Sequence, residues 1–351
     1  MIQSVESRMA NMAVVCACAV ALSHAGYSAA TGSADWWFVR MTRYGLCCLA
    51  VPFFFTVSGY FLSRHFDERG WWPREVSKRV RSLLVPYLLW CMAFFIFARV
   101  GLATVKAVAG REFWTVLSFP AAMIPPALGV RLEAPPMLVP LWYVRALFVI
   151  VLLSPVLAWF ASRRRLAWLL LVVLAAAYVM FSPHRNGLAS TRAEHFMYYG
   201  VSLMGMFYFY LGILMRSTRF LERTLAVPPW TGVVLLAAGA AIVAWRTGVI
   251  ATSGIEPFPI LCIAIPFLVA GTWLATPAAP WPALLTSMSF PIYVLHFFVV
   301  FALDGFHACR ADKSIGQIIV HAVCAVVIPC VIAMLARSVS STMARLVFGG
   351  R

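Results

Sequence analysis

A histidine near the end of a strongly apolar run is the first feature of this sequence with chemical consequences. Met12–Ala25 reads MAVVCACAVALSHA, with His24 one residue from its end. Arg8 precedes the run and apolar residues continue to Ala30, so the stretch predicts a helix able to cross a bilayer. An ionisable side chain in such a helix is costly unless it meets a polar cavity or a partner, and it therefore marks a working site. An imidazole placed there can take up and return a proton near neutral pH.

Four further stretches carry candidate groups. PLWYVRALFVIVLLSPVL holds Arg145 about six residues inside an apolar run, with no Asp or Glu in any span core to pair with it. It reads either as an arginine snorkelling to the nearby interface or as a cation facing a cavity, backbone carbonyls or a ligand anion. SMSFPIYVLHFFVV holds His296, with Pro291 breaking the helix before it; this ring is either bonded to a backbone carbonyl or part of the site. AVPFFFTVSGYFLSRH is interrupted by Pro52 and by Ser58-Gly59, which fits close helix packing or a polar cavity. WWPREVSKRVRSLLVPYLLW carries Arg74, Lys78, Arg79 and Arg81, and residues 74, 78 and 81 are spaced to share a helical face. That face suits anionic lipid headgroups or the phosphates of a cytosolic ligand.

The elements that must position these groups follow from composition. The chain is 63% hydrophobic and 11% charged over 351 residues, which excludes an ordinary soluble domain and predicts an integral membrane protein. Ten apolar runs approach the length of a span: 9–30, 44–62, 82–100, 139–159, 166–183, 199–217, 229–246, 257–275, 283–302 and 315–339. We expect one all-α transmembrane domain over 1–351, with about ten helices and no soluble domain. The 28 Lys and Arg against 12 Asp and Glu sit between these runs, so topology explains them and no nucleic-acid partner is expected. Basic clusters in short loops predict cytoplasmic N- and C-termini.

Segment 113–129, with three prolines, reads as an outer amphipathic or re-entrant piece. The first run also has features of a signal peptide, with Ser28-Ala29-Ala30 as a cleavage site; removing it would invert the charge pattern of the remaining spans. Of nine cysteines, all but Cys309 fall in apolar runs without metal-ligand spacing, so no metal site is expected.

With this orientation, His24, Arg145 and His296 share the outer half of the bilayer, while Ser58-Gly59 and the bases of 64–81 lie inward. That layout suits an enzyme bridging a cytosolic donor and an outer acceptor. A multispan transporter or flippase is the alternative, against which no two-fold repeat of interrupted helices is visible.

In SRMANMAVVCACAVALSHAG, VPFFFTVSGYFLSRH, KRVRSLLVPYLLW, PLWYVRALFVIVLLSPVL, FYFYLGILMRS and SFPIYVLHFF, the chain resembles the acyltransferase 3 family of membrane-bound O-acyltransferases. The stretches occur in the family's order and cover nearly the whole chain. The resemblance implies a ten-helix bundle of the bacterial inner membrane that moves an acyl group, usually acetyl, from acyl-CoA to a hydroxyl of an extracytoplasmic glycan or lipid-linked sugar. It implies a catalytic role for His24, and maps the Phe-rich Ser-Gly stretch onto Phe53–Tyr60, the basic segment onto Lys78–Arg81, and an aromatic pair onto Trp142 and Tyr143.

From these we expect Phe54, Ser58, Arg64, Lys78 and Arg79 to hold acetyl-CoA as donor substrate, with no permanently bound cofactor. Trp142, Tyr143, Tyr293 and His296 are expected on the acceptor side, Arg145 is expected to stabilise the developing oxyanion, and Asp304 is a candidate orienter of His24. Membrane lipids and polysaccharide biosynthesis machinery are the expected partners. One departure matters: the family usually places Arg or Lys eleven residues before the histidine, and here that position is Ala13. The nearest base, Arg8, is expected at the membrane surface. Another group must then do the work of that base, or the protein is an acyltransferase-like chain with altered catalysis.

Overall fold

The computed structural model describes residues 2–26, 32–108, 121–181, 192–253, 258–306, 313–340, 342, 344 and 347–348, and no strand occurs among them. The principal helices are α1 (Ile2–Ala25), α2 (Ala34–Thr42), α3 (Ala50–Leu62), α4 (Trp71–Arg79), α5 (Val85–Val108) and α6 (Trp142–Ala161). They continue as α7 (Arg164–Met180), α8 (Leu203–Ser217), α9 (Pro229–Ser253), α10 (Phe258–Ala275), α11 (Ser289–Phe306) and α12 (Ile315–Val339).

Among the described residues, seven helical stretches are long and apolar enough to cross a membrane, and α10 and α11 are apolar but shorter. Exposed Val172, Val173, Val233, Val234, Val323 and Leu335 coat α7, α9 and α12 with apolar surface. A patch of that kind belongs against lipid. The chain is an all-α, multi-pass membrane protein.

α1 is central, packed against α3, α11 and α12. Its Val5, Met9, Met12, Cys16 and Val20 are buried, a stripe spaced three to four residues apart on one face. The helix starts seven residues before the apolar run from which it was expected. Glu6 and Arg8 therefore lie on it, and Arg8 is covered by protein: it is 5% exposed, its guanidinium 5.2 Å from the Trp273 ring. Flat, weakly hydrated guanidinium groups tolerate such cover better than ammonium. Ser28–Ala30, where a cleavage site was considered, lies outside the described residues.

Two expected breaks turn out to be helix starts. Pro52 sits in the first turn of α3 and Pro291 in the first turn of α11, positions where the missing N–H would have no helical partner anyway. The expected span 283–302 is divided accordingly into a short turn at Ala283–Thr286 and α11. Of segment 113–129, residues 113–120 lie outside the described residues; the remainder forms two short helical turns and Gly129, at φ +60°. The helix α2 interrupts no expected apolar run and was not foreseen; Ser33 caps it by accepting from the Trp36 N–H at 3.1 Å.

Ser58 and Gly59 separate into two roles. A Cβ on Gly59 would fall 1.9 Å from the Phe209 carbonyl oxygen of α8, and one on Gly212 would fall 2.0 Å from that of Thr56. These glycines let α3 and α8 meet backbone to backbone, the close packing that small residues allow between membrane helices. Ser58, one residue earlier, faces elsewhere.

Candidate active site

Ser58 lines a cavity of about 480 Å³ between α1, α3, the α4–α5 junction, α6 and α11. Arg64, His65, Lys78 and Arg79 form one end of it. Phe53, Phe54, Val57, Leu83 and Leu147 make the walls, and Tyr143 and Tyr293 stand farther in. All five residues expected to hold the donor therefore meet around one space, together with two expected on the acceptor side. The volume falls in the range of small-molecule sites.

The junction that supplies its floor has a specific cause. Pro86 has no N–H to give to the Ser82 carbonyl, and the helix widens over Val80–Leu84, with the Val85 N–H reaching back five residues to Val80 O. Ser82 and Leu83 on this wide turn face the cavity.

The basic end is partly neutralised from within. Buried Glu75 lies 3.5 Å from Lys78 Nζ, 3.6 Å from Arg79 Nε and 3.8 Å from His65 Nε2. Arg64 donates to Glu6 of α1 at 2.6 Å and lies 4.3 Å over the Phe61 ring. Arg74, expected beside Lys78, instead reaches Glu68 at 2.7 Å on the exposed side. The His65 hydrogen bond, helped by Arg74, holds the Glu68 carboxyl below the usual carboxylate range. His65 was not among the expected site residues; its only signal in the sequence is its place beside Arg64 in SRH.

Ala13 also lines this cavity, so the position at which the family usually carries a base opens onto the same space as Ser58 and Arg64. Arg8, under Trp273, is not among the lining residues. The arginines and lysine that line it are Arg64, Lys78 and Arg79.

At the inner limit of the cavity Ser58 Oγ donates to Phe54 O at 2.8 Å and lies 3.4 Å from the Tyr143 hydroxyl. Tyr143 is edge-on to Tyr293 at 6.0 Å, and the Tyr293 hydroxyl donates to the Pro140 carbonyl. One turn along α11, the rings of Tyr293 and His296 are 6.4 Å apart. His296 in turn lies 5.2 Å from His24, ring centre to ring centre, and Phe297 meets His24 edge-on at 5.4 Å. His24 is half-buried and does not itself line the cavity. Tyr293 and His296 stand between them.

His296 is fully buried, and its Nδ1 lies 3.0 Å from Ile292 O. Because a carbonyl only accepts, Nδ1 carries the proton and Nε2 is a lone pair. Nε2 has no hydrogen-bond partner among the described residues.

Arg145 does not line the cavity. Its guanidinium donates to the carbonyls of Gly129, Arg131, Leu132, Ala134 and Tyr199, gathering residues 129–134 and the turn before α8 around itself. Gly129 is required here: its φ is +60°, and a Cβ would lie 2.7 Å from the Tyr87 hydroxyl and 2.9 Å from Arg145. Tyr199 and Tyr198 follow from a second wide turn, Phe196–Gly200, and Tyr198 stacks on Trp142 at 5.4 Å. Asp304 faces neither histidine of this pair; it pairs with Lys313 and lies 3.3 Å from His321.

These residues, two adjacent imidazoles beside a cavity with a cationic end, can hold an anionic ligand and move a proton. Comparisons with known proteins bear on what is transferred. A succinoglycan biosynthesis protein, ExoH, of Rhizobium meliloti (strain 1021) is 31% identical over 135 residues, which cover 38% of this chain and 35% of that protein. The chain thus spans about a third of the length of that curated relative. No solved structure matches. A family described as an acyltransferase domain matches residues 12–336, nearly the whole chain, and takes in the stretches from which the resemblance was drawn except the first five residues of the first. The chain belongs to the acyltransferase 3 family.

Proposed function

We propose that this protein transfers an acyl group, acetyl in the simplest case, from cytosolic acyl-CoA to a hydroxyl of a cell-surface or exported polysaccharide or its lipid-linked precursor. Its proposed setting is the bacterial inner membrane with both termini cytoplasmic, where a cytosolic donor and an exported acceptor meet from opposite faces. The observation that carries the reading is a path of contacts: a cavity with a basic end is lined by Ser58, Tyr143 and Tyr293, and from Tyr293 successive ring neighbours, His296 and then His24, lead to the first-helix imidazole. Arg64, His65, Lys78 and Arg79 suit the phosphates of the donor, and the Phe54–Leu147 walls suit its thin pantetheine arm. The relative's part in succinoglycan biosynthesis supports a saccharide acceptor.

His24 removes the proton of the attacking hydroxyl as its oxygen forms a bond to the thioester carbonyl. The tetrahedral species collapses with breakage of the C–S bond, and the imidazolium returns the proton to the leaving thiolate. General-base assistance of this kind is worth about 10²–10⁴-fold. His296, its Nε2 lone pair unpartnered and its tautomer set by the Ile292 bond, lies 5.2 Å from His24, ring centre to ring centre, close enough to orient that imidazole as a base. Arg145, committed to five backbone carbonyls, acts through the loop it gathers and so positions the acceptor side around Trp142.

Purified protein in detergent is expected to bind acetyl-CoA and to transfer radiolabel to isolated surface polysaccharide, and cells lacking the gene should lose an acyl mass from that polysaccharide. A protein that binds no acyl-CoA and leaves polysaccharide masses unchanged sinks the proposal.

A further inference from the structure

The end of α1 that carries His24 is held by polar contacts separate from the cavity. Carbonyls in the last turn of a helix lack partners within it. Here Ala25 O accepts from Lys313 Nζ at 2.9 Å, and Gly26 O accepts from Arg43 Nη1 at 2.6 Å. Lys313 is 6% exposed and its ammonium is paired with Asp304 at the end of α11. The same carboxylate oxygen lies 3.3 Å from Nδ1 of buried His321 on α12. Asp35 of α2 accepts the Ile315 N–H at 2.8 Å, which fixes the start of α12, and Lys313 beside it, to α2.

Apolar packing at this end is thin. Ala25, Val39 and Ile318 form a small buried cluster apart from the main core. A region with few buried apolar contacts opens easily unless stronger bonds hold it. A charge-assisted bond from a buried, ion-paired ammonium is such a bond, and cations at a helix C-terminus are favoured by its dipole. His24 precedes Ala25 by one residue, so the twist of this last turn decides how its ring stands against His296.

We propose that Lys313, held by Asp304, is a positioning residue for His24: its bond to the Ala25 carbonyl sets the rotation of the last turn of α1. The proposal rests on the reading of His24 as the proton-transferring base. Lys313 touches neither donor nor acceptor in it.

Two double variants isolate the bond. Asp304→Asn with Lys313→Met removes both charges and the donor to Ala25. Asp304→Asn with Lys313→Gln is equally neutral but keeps an N–H able to reach the carbonyl. We expect both to bind acetyl-CoA as the wild type does. The methionine pair should lose about tenfold to a hundredfold in kcat at unchanged donor KM, as for a catalytic group slightly misplaced, while the glutamine pair stays within about threefold.

Equal kcat in the two pairs, at any level, overturns the proposal, because charge and packing alone would then explain Lys313. Should the methionine pair fail to accumulate, the glutamine pair decides: kcat within about threefold of wild type supports the bond, and a loss beyond about tenfold overturns it. A wild-type protein that transfers no acyl group overturns the reading of His24 and this proposal with it.

Discussion

The two ends of the path are built differently. At the cationic end Arg64, His65, Lys78 and Arg79 surround a shared space, each already near a carboxylate, Glu6 or Glu75. Lys78 is 64% exposed, and such groups are screened by salt and replaceable by neighbours. At the imidazole end the polar contacts are single, one carbonyl for His296 and one lysine for Ala25, and His24 meets one imidazole, His296, beside the apolar ring of Phe297. Buried groups without substitutes give large, unshared losses when removed. Recognition of a multiply charged ligand tolerates redundancy, whereas proton transfer demands one geometry.

The largest effect is expected from His24→Ala, which should cost about 10²–10⁴-fold in kcat while membrane accumulation and acetyl-CoA binding persist. Unchanged transfer rates would remove His24 from the chemistry and dissolve the contrast. His296→Phe keeps a ring of similar size and deletes the lone pair; kcat should fall about tenfold to a hundredfold at constant donor KM. A rise in KM instead would move His296 to the donor side.

At the cationic end Arg64→Gln should raise the KM for acetyl-CoA about tenfold, since it removes one charge-assisted contact and leaves the Glu6 carboxylate unneutralised, with kcat little changed. Lys78→Gln should raise it no more than about threefold, since its charge is exposed. Titrating salt should reproduce that order, raising donor KM in wild type and less steeply in the Arg64 variant. Equal salt sensitivity in both would show that Arg64 does not meet the donor.

Much of the scaffold was legible in the sequence. Each of the ten apolar runs overlaps a helix, because a bilayer admits apolar stretches only when their backbone bonds close internally. That Phe54, Ser58, Arg64, Lys78 and Arg79 meet around one cavity was legible as well: they lie on α3, α4 and the turn between, near enough in the chain for spacing to constrain them. His65, Ser82 and Ala13 were not seen on that cavity. Ser82 faces it only because a proline four residues later widens a helix, and Ala13 has no chemistry to draw the eye.

By itself, then, the sequence determined an all-helical membrane chain, a polar group on its first helix and the cluster of bases after its third helix. Hydropathy and charge act locally, along one strand of sequence, and need no partner to be read. Tertiary structure alone decided that Arg8 is covered by Trp273, that Arg145 gathers carbonyls, and that Asp304 faces Lys313 rather than His24. These pairings join residues from about ten to more than two hundred positions apart, and only the packing of helices brings the partners within bonding distance.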